Sequence, residues 1–302
     1  MGAWGIGLYG SDFGQDMRDS VKAVARLPFE PARLLDYLCA TEPRAANDSQ
    51  DPDHTVFWLT VADQFNKRGI DCTDARDRAL AIIAKGSDLA AMARLGMGEK
   101  SLAKRGAMLQ ELRARLGAPI AATKLRSVLK GPQKLLLEPG EVVIYPVCQG
   151  KPINPYTVGK DYAFVKAWRQ DGFGAFMVAE RGLVFDHLAW YRPLVICEPL
   201  AEEPRLSDLF APRRWLMRNP GTLTPRHFAN MALRSLGRVV TDAAKLDRIF
   251  PERMSAHGAA VSDISIANNI TVQDLGPHEA HRVKHGYPPT PRIQALADIV
   301  AV

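Results

Sequence analysis

The sequence predicts an α+β protein, with an all-helical N-terminal domain and a small antiparallel β-rich, barrel-like domain carrying one or two packed helices. Three observations predict it. Apolar residues recur at helical spacing through the first 117 residues. After residue 139 the apolar period switches from ~3.6 to ~2 residues. Between them lies a basic stretch punctuated by Gly117-Ala118-Pro119, Gly131-Pro132 and Pro139-Gly140. The expected boundaries are a helical domain over 1–117, a basic linker over 118–139, a β-rich module over 140–275 and a peripheral tail over 276–302. Two domains suit a chain of 302 residues.

The helices are read in order. Residues 12–27 carry Phe13, Met17, Val21 and Val24 on one stripe, and Pro28 stops them. Residues 31–40 form the second helix, with Pro31 suited to a first turn. Residues 41–50 read as a loop. Asp51-Pro52-Asp53 starts the next helix, with Asp51 as N-cap, and Lys67-Arg68-Gly69 ends it. Residues 73–85 end the same way at Gly86. Short and long helices follow over 87–95 and 99–116.

Strands are expected over 141–147, 174–179, 183–187 and 191–197, with a hairpin turn at Glu180-Arg181-Gly182. Residues 214–217 and 264–266 add two more. Thr224-Pro225 is expected to cap a helix running through Phe228, Met231, Leu233 and Leu236 to Gly237.

Composition limits the function classes. Hydrophobic residues make up 47% and charged residues 24%, which is ordinary for a globular chain. No stretch reaches the ~20 apolar residues of a membrane helix. The opening lacks a basic and apolar leader, and Ile6 stands where a myristoylation motif wants Ser or Thr. Cys39, Cys72, Cys148 and Cys197 are scattered, with no C-x-x-C pair. These features predict a reduced, cytoplasmic protein without membrane contact.

Charge is uneven. Residues 1–98 hold 11 bases and 14 acids, whereas residues 99–134 hold nine bases and two acids. Lys104, Arg105, Arg113, Lys124, Arg126 and Lys130 are therefore candidates for nucleic-acid contact, and a solvated helix face with its linker is the plainer reading.

Familiar chemistries fail on context. Gly5-x-Gly7-x-x-Gly10 matches a dinucleotide fingerprint, with Glu30 twenty residues on, but only four residues precede Gly5 where a buried strand is needed. Gly98-Glu99-Lys100-Ser101 echoes a phosphate loop, but Ala93 replaces its first glycine and Glu99 intrudes. His278, His281 and His285 share helical spacing beside Glu279, yet Gly276-Pro277 and Gly286 bracket them, so a peripheral tail is expected. Asp186 and His187, read as strand neighbours, fall on opposite faces. No catalytic residue, metal site or cofactor is expected.

Two groups remain as candidates for binding another protein. Asp12, Asp16 and Asp19 lie on one helix face, near Trp4. Trp168, Arg169, Asp171, Trp190, Tyr191 and Arg192 gather aromatics with arginine in the strand module, where a barrel core is the competing reading.

Two motifs carry a resemblance. Met1-Gly2-Ala3-Trp4-Gly5, followed by Ser11-Asp12 and Asp16, resembles the start of an uncharacterised bacterial family opening M-G-A-W-G, with Phe13 where that family has a second acid. The run from Pro139 through Gly140, Glu141, Val142, Val143, Ile144 and Tyr145 to Pro146, leading to Asp171-Gly172-Phe173-Gly174, is similar to the immunity protein 26 family. Glu141 replaces the usual Asp, and the insert over 147–170 is longer. The resemblance covers about a third of the chain and implies a bacterial, mobile-element protein that neutralises another protein. It carries over no catalytic residue. The resulting expectation is a non-enzymatic inhibitor of another bacterial protein, with a nucleic-acid-associated factor as the alternative.

Overall fold

A computed structural model describes residues 5–119, 126–153, 166–250, 266–272, 280, 282–286 and 292–301. The chain is mixed α+β with a helical N-terminal part. It divides into two compact units, the first formed mainly by residues 1–131 and the second mainly by 132–302.

Among the described residues the helical unit has seven helices: α1 (Asp12–Val24), α2 (Pro31–Thr41), α3 (Pro43–Asn47), α4 (His54–Lys67), α5 (Thr73–Lys85), α6 (Ser87–Arg94) and α7 (Glu99–Gly117). Ser11 caps α1 by accepting from the Gly14 amide at 3.1 Å. The helix stops at Val24 rather than Leu27, though Leu27 is still buried. The helix α3 falls where a loop was expected; Pro43 starts it. For α4 the N-cap is Asp53, while Asp51 accepts the Asp53 amide at 2.9 Å to close the turn before it. Every residue of α4 from Thr55 to Phe65 is buried. It is the unit's central helix, enclosed by α1, α3, α5, α6 and α7. Gly86, at φ +66°, ends α5 in the left-handed region that glycine adopts freely.

The second unit is built on one antiparallel sheet: β1 (Glu141–Cys148), β2 (Lys151–Pro152), β3 (Gly172–Val184), β4 (Leu188–Ile196), β5 (Trp215–Met217), β6 (Arg234–Arg238) and β7 (Arg292–Ile293). The order is β2-β1-β3-β4-β5-β7, with β6 pairing along the start of β1. The sheet is open and not closed into a barrel, which corrects the barrel-like expectation. All nine residues of β4 are buried, so neither of its faces is left to solvent.

Three local expectations change. Glu180-Arg181-Gly182 is strand, not turn, and a bulge between Val178 and Glu180 shifts the register. The chain instead reverses at Phe185 and Asp186, at φ +51° and +58°, so Asp186 and His187 are turn residues. The helix at Thr224 ends at Asn230. Ala232 takes φ +50°, and residues 234–238 pair with β1 as β6. The apolar positions 228, 231, 233 and 236 suit a helix or a strand, and ladder pairing decides between them. Finally, residues 292–301 of the expected tail are not peripheral: β7 pairs with β5, and Ile293, Leu296 and Ile299 are buried.

Candidate functional site

The polar interior of the helical unit starts from Arg105. Its guanidinium on α7 is only 2% exposed, and it meets the fully buried Asp88 of α6 through Nε at 2.6 Å and Nη2 at 2.9 Å. Thr55 of α4 donates to the same carboxylate at 3.2 Å. Arg105 Nη1 donates to the carbonyls of Ile6 and Gly7 at 3.0 and 3.1 Å. The planar fork of arginine allows all four contacts at once. The glycine-rich lead-in is thereby tied to α6 and α7.

That lead-in is folded tightly. A Cβ on Gly10 would lie 2.6 Å from the Gly5 carbonyl oxygen, and one on Gly14 would lie 2.5 Å from that of Leu8. Of the glycines read as a dinucleotide fingerprint, Gly10 is required by this packing, whereas Gly7 has open space around it, and Arg105 takes up the carbonyls of the loop.

Beside them lies a cavity of about 140 Å³, walled by Leu8, Val56, Met92, Leu95, Gly5, Gly7 and Gly10, with Asp53 and Arg105 also on its wall. Leu95 is 45% exposed. Asp53 belongs to a set of carboxylates around Glu42. Burial, then the charges of Asp53, Asp16 and Asp51, push the Glu42 carboxyl up. Burial and Asp51 push Asp53 up. Burial, then Asp12 and Asp19, do the same to Asp16. Each is a carboxylate whose charged form is disfavoured by its surroundings. Among the described residues no group of three or more His, Cys, Asp or Glu side chains is arranged to hold a metal.

A second buried carboxylate, Asp63, accepts from Tyr9, Arg115 and Lys67, the last at 2.7 Å. Burial, then the hydrogen bond to Asp63, push the Tyr9 hydroxyl far above the ordinary tyrosine range. This cluster also anchors the lead-in, through a tyrosine.

The binding candidates divide on burial. Asp12 and Asp16 are exposed on α1. Arg169 and Asp171 are exposed; Asp171 accepts the Gln149 amide at 2.7 Å. Trp168 is half-buried, its indole donating to the Lys151 carbonyl at 3.3 Å. Trp190, Tyr191 and Arg192 lie in the buried strand β4, so they present no surface to a partner. Tyr191 Oη accepts the Leu136 amide at 2.6 Å, and Arg192 pairs with Glu180 at 3.3 Å. Among the basic candidates, Lys104, Arg113 and Lys130 are exposed. Arg105 is buried against Asp88, and half-buried Arg126 donates to the Phe29 carbonyl; both are corrected from phosphate contacts to internal ones. Trp4, Lys124, His278 and His281 lie outside the described residues, while His285 is exposed.

Asp63, Asp88, Glu42 and Asp53 were not singled out from sequence. The available signal was an acid inside an apolar run: Asp63 follows Val61-Ala62 in a helix that is apolar nearly all round. Comparison with protein-family models, curated proteins and solved structures finds no match. Among the described residues no helix is long and apolar enough to cross a membrane.

Proposed function

We propose that this chain is a non-enzymatic binding protein that inhibits another protein by occluding it, with the acidic, apolar face of the helical unit as its contact surface. One observation supports this reading above the others. Burial and then the charges of Asp53, Asp16 and Asp51 push the Glu42 carboxyl up, and Asp53 also walls a cavity with an exposed leucine. A basic partner segment would relieve the crowded charge, and an apolar anchor would fill the cavity. The exposed Asp12 and Asp16 extend the same negative face along α1.

Crosslinking capture from the native host tests it. The wild-type chain is expected to recover one basic partner at low salt. Leu95→Asp, which puts a charge at the cavity, and Asp12→Ser with Asp16→Ser, which thin the acidic face, should each sharply reduce recovery. Equal recovery by all three chains would defeat the proposal. Capture of nucleic acid in place of protein, lost on Lys104→Ala with Arg113→Ala, would favour the alternative in which the exposed bases of α7 do the binding.

A further inference from the structure

A second cavity of the helical unit is lined by an excess of cations. It measures about 260 Å³ and lies between the start of α4, the end of α5 and α6. This is close to the lower end of the ~300–1,000 Å³ range of small-molecule sites. Arg78, Lys85 and Arg94 all line it, and among the described residues Asp51 is its one carboxylate. Among the described residues none of those three cations makes an ion pair. Asp51 pairs with Arg44 at 3.5 Å, and Asp71 and Asp77 pair with Arg76.

Lys85 and Arg94 are last-turn cations of α5 and α6, and helix-end electrostatics explain each one alone. They do not explain why both converge with Arg78 on one cavity. Nor are the walls left to chance. The Arg78 guanidinium sits 4.4 Å from the centroid of the Trp58 ring, and Trp58 is held by its indole donating to the Ala46 carbonyl at 3.1 Å. His54 is fixed as well. Its Nδ1 lies 2.8 Å from the Ala45 carbonyl, which can only accept, so Nδ1 carries the proton and Nε2 is left for another contact. His54 and Ser87, the first residues of α4 and α6, also line the cavity, where their positive helix ends are set against the negative ends of α5 and α6, so its excess charge is that of the side chains.

We infer that this cavity binds the phosphate group of a small phosphomonoester. Three cations against one carboxylate leave an excess that matches a phosphate dianion, and arginine presents the planar fork that phosphate oxygens accept from. The site borders the acidic face at Asp51, but its cations lie on α5 and α6, and it does not depend on the role of that face.

Isothermal titration of the full chain at constant ionic strength tests the inference. The probes are inorganic phosphate, O-phosphoserine and adenosine 5′-monophosphate; the first separates free phosphate from an organic monoester. At least one should bind saturably at one site per chain. Lys85→Ala and Arg94→Ala, both at exposed positions, should each weaken it about tenfold, the usual scale of one charge-assisted contact. Asp51→Asn keeps the acceptor for the Asp53 amide and removes the one opposing charge. It should tighten binding, a gain that a misfolded variant cannot produce. Lys134→Ala, an exposed cation of the β unit, should bind as wild type does. The inference is overturned if no probe saturates, if Lys85→Ala and Arg94→Ala bind as wild type, or if Lys134→Ala weakens binding equally.

Discussion

The two units bury different things. The helical unit encloses charge: Asp63, Asp88 and Arg105 are all nearly inaccessible, and Arg105 and Asp63 both bond the glycine-rich lead-in. The β unit encloses mainly aliphatic and aromatic side chains, with Trp215, Tyr145, Tyr191 and Phe176 among its largest buried groups. A helix satisfies its own backbone, so joining a loop to helices requires side chains that reach across. A sheet is joined by its backbone ladder, and its tight points are places where one strand must pass close to another. The lesson is that the same loss, one side chain or one hydrogen, should act differently in the two units.

The largest effect is expected at Arg105. Arg105→Ala strands the buried Asp88 carboxylate and frees the lead-in, at a cost of about 3–5 kcal/mol. Thermal unfolding followed by circular dichroism should show it, and adding Asp88→Ala should recover a substantial part. A double variant no more stable than Arg105→Ala would mean that the charge itself is not what matters.

The corresponding weak point of the β unit is a glycine. Gly140 holds φ +81°, and an added Cβ would lie 2.1 Å from the Val239 carbonyl oxygen, where β1 meets the stretch after β6. Its amide donates to the Val178 carbonyl at 2.7 Å, and its own carbonyl accepts the Val239 amide at 3.0 Å. Gly140→Ala should cost about 2–3 kcal/mol through backbone strain. Gly131→Ala, with open space around the added atom, should be close to neutral. Similar melting of the two variants would contradict the close-approach account.

The smallest effect is a gain. Glu42 is raised in the folded state by burial and by Asp53, Asp16 and Asp51. The folded state therefore holds the proton more tightly than the unfolded one, and stability falls as pH rises from the ordinary glutamate value, ~4.3, through the raised value. Glu42→Gln should raise Tm at neutral pH by about 1 °C, the part-exposed site being screened by solvent. The advantage should vanish below pH ~4. A stabilisation that persists at low pH would point to packing instead of charge.

Much of the architecture was legible in local pattern. The seven-helix region up to Gly117 is marked by apolar stripes and by terminal signals such as Ser11 and Gly86, because helix stripes and caps are short-range features. The core segments of β1, β3 and β4 are equally visible as β-rich apolar runs. The binding surfaces were legible only in part. Asp12 and Asp16 are exposed as one face of a helix should be, whereas Trp190, Tyr191 and Arg192 belong to a strand covered on both sides. Burial on a second face depends on what packs there, and strand alternation does not contain that information.

By itself, then, the sequence determined the α+β class, the order of helices before strands and the change of character after Gly117. These follow from periodicity, from caps, and from proline and glycine, which act within a few residues. Only the tertiary structure decided that Arg105 is an internal clamp, that residues 234–238 form a strand on β1, and that the sheet stays open. It alone brought Arg78, Lys85 and Arg94 to one cavity and Asp16, Glu42 and Asp53 to another face. Contacts of this kind join residues distant in the chain, and their free energy comes from desolvation and pairing that exist only once the chain has closed around them.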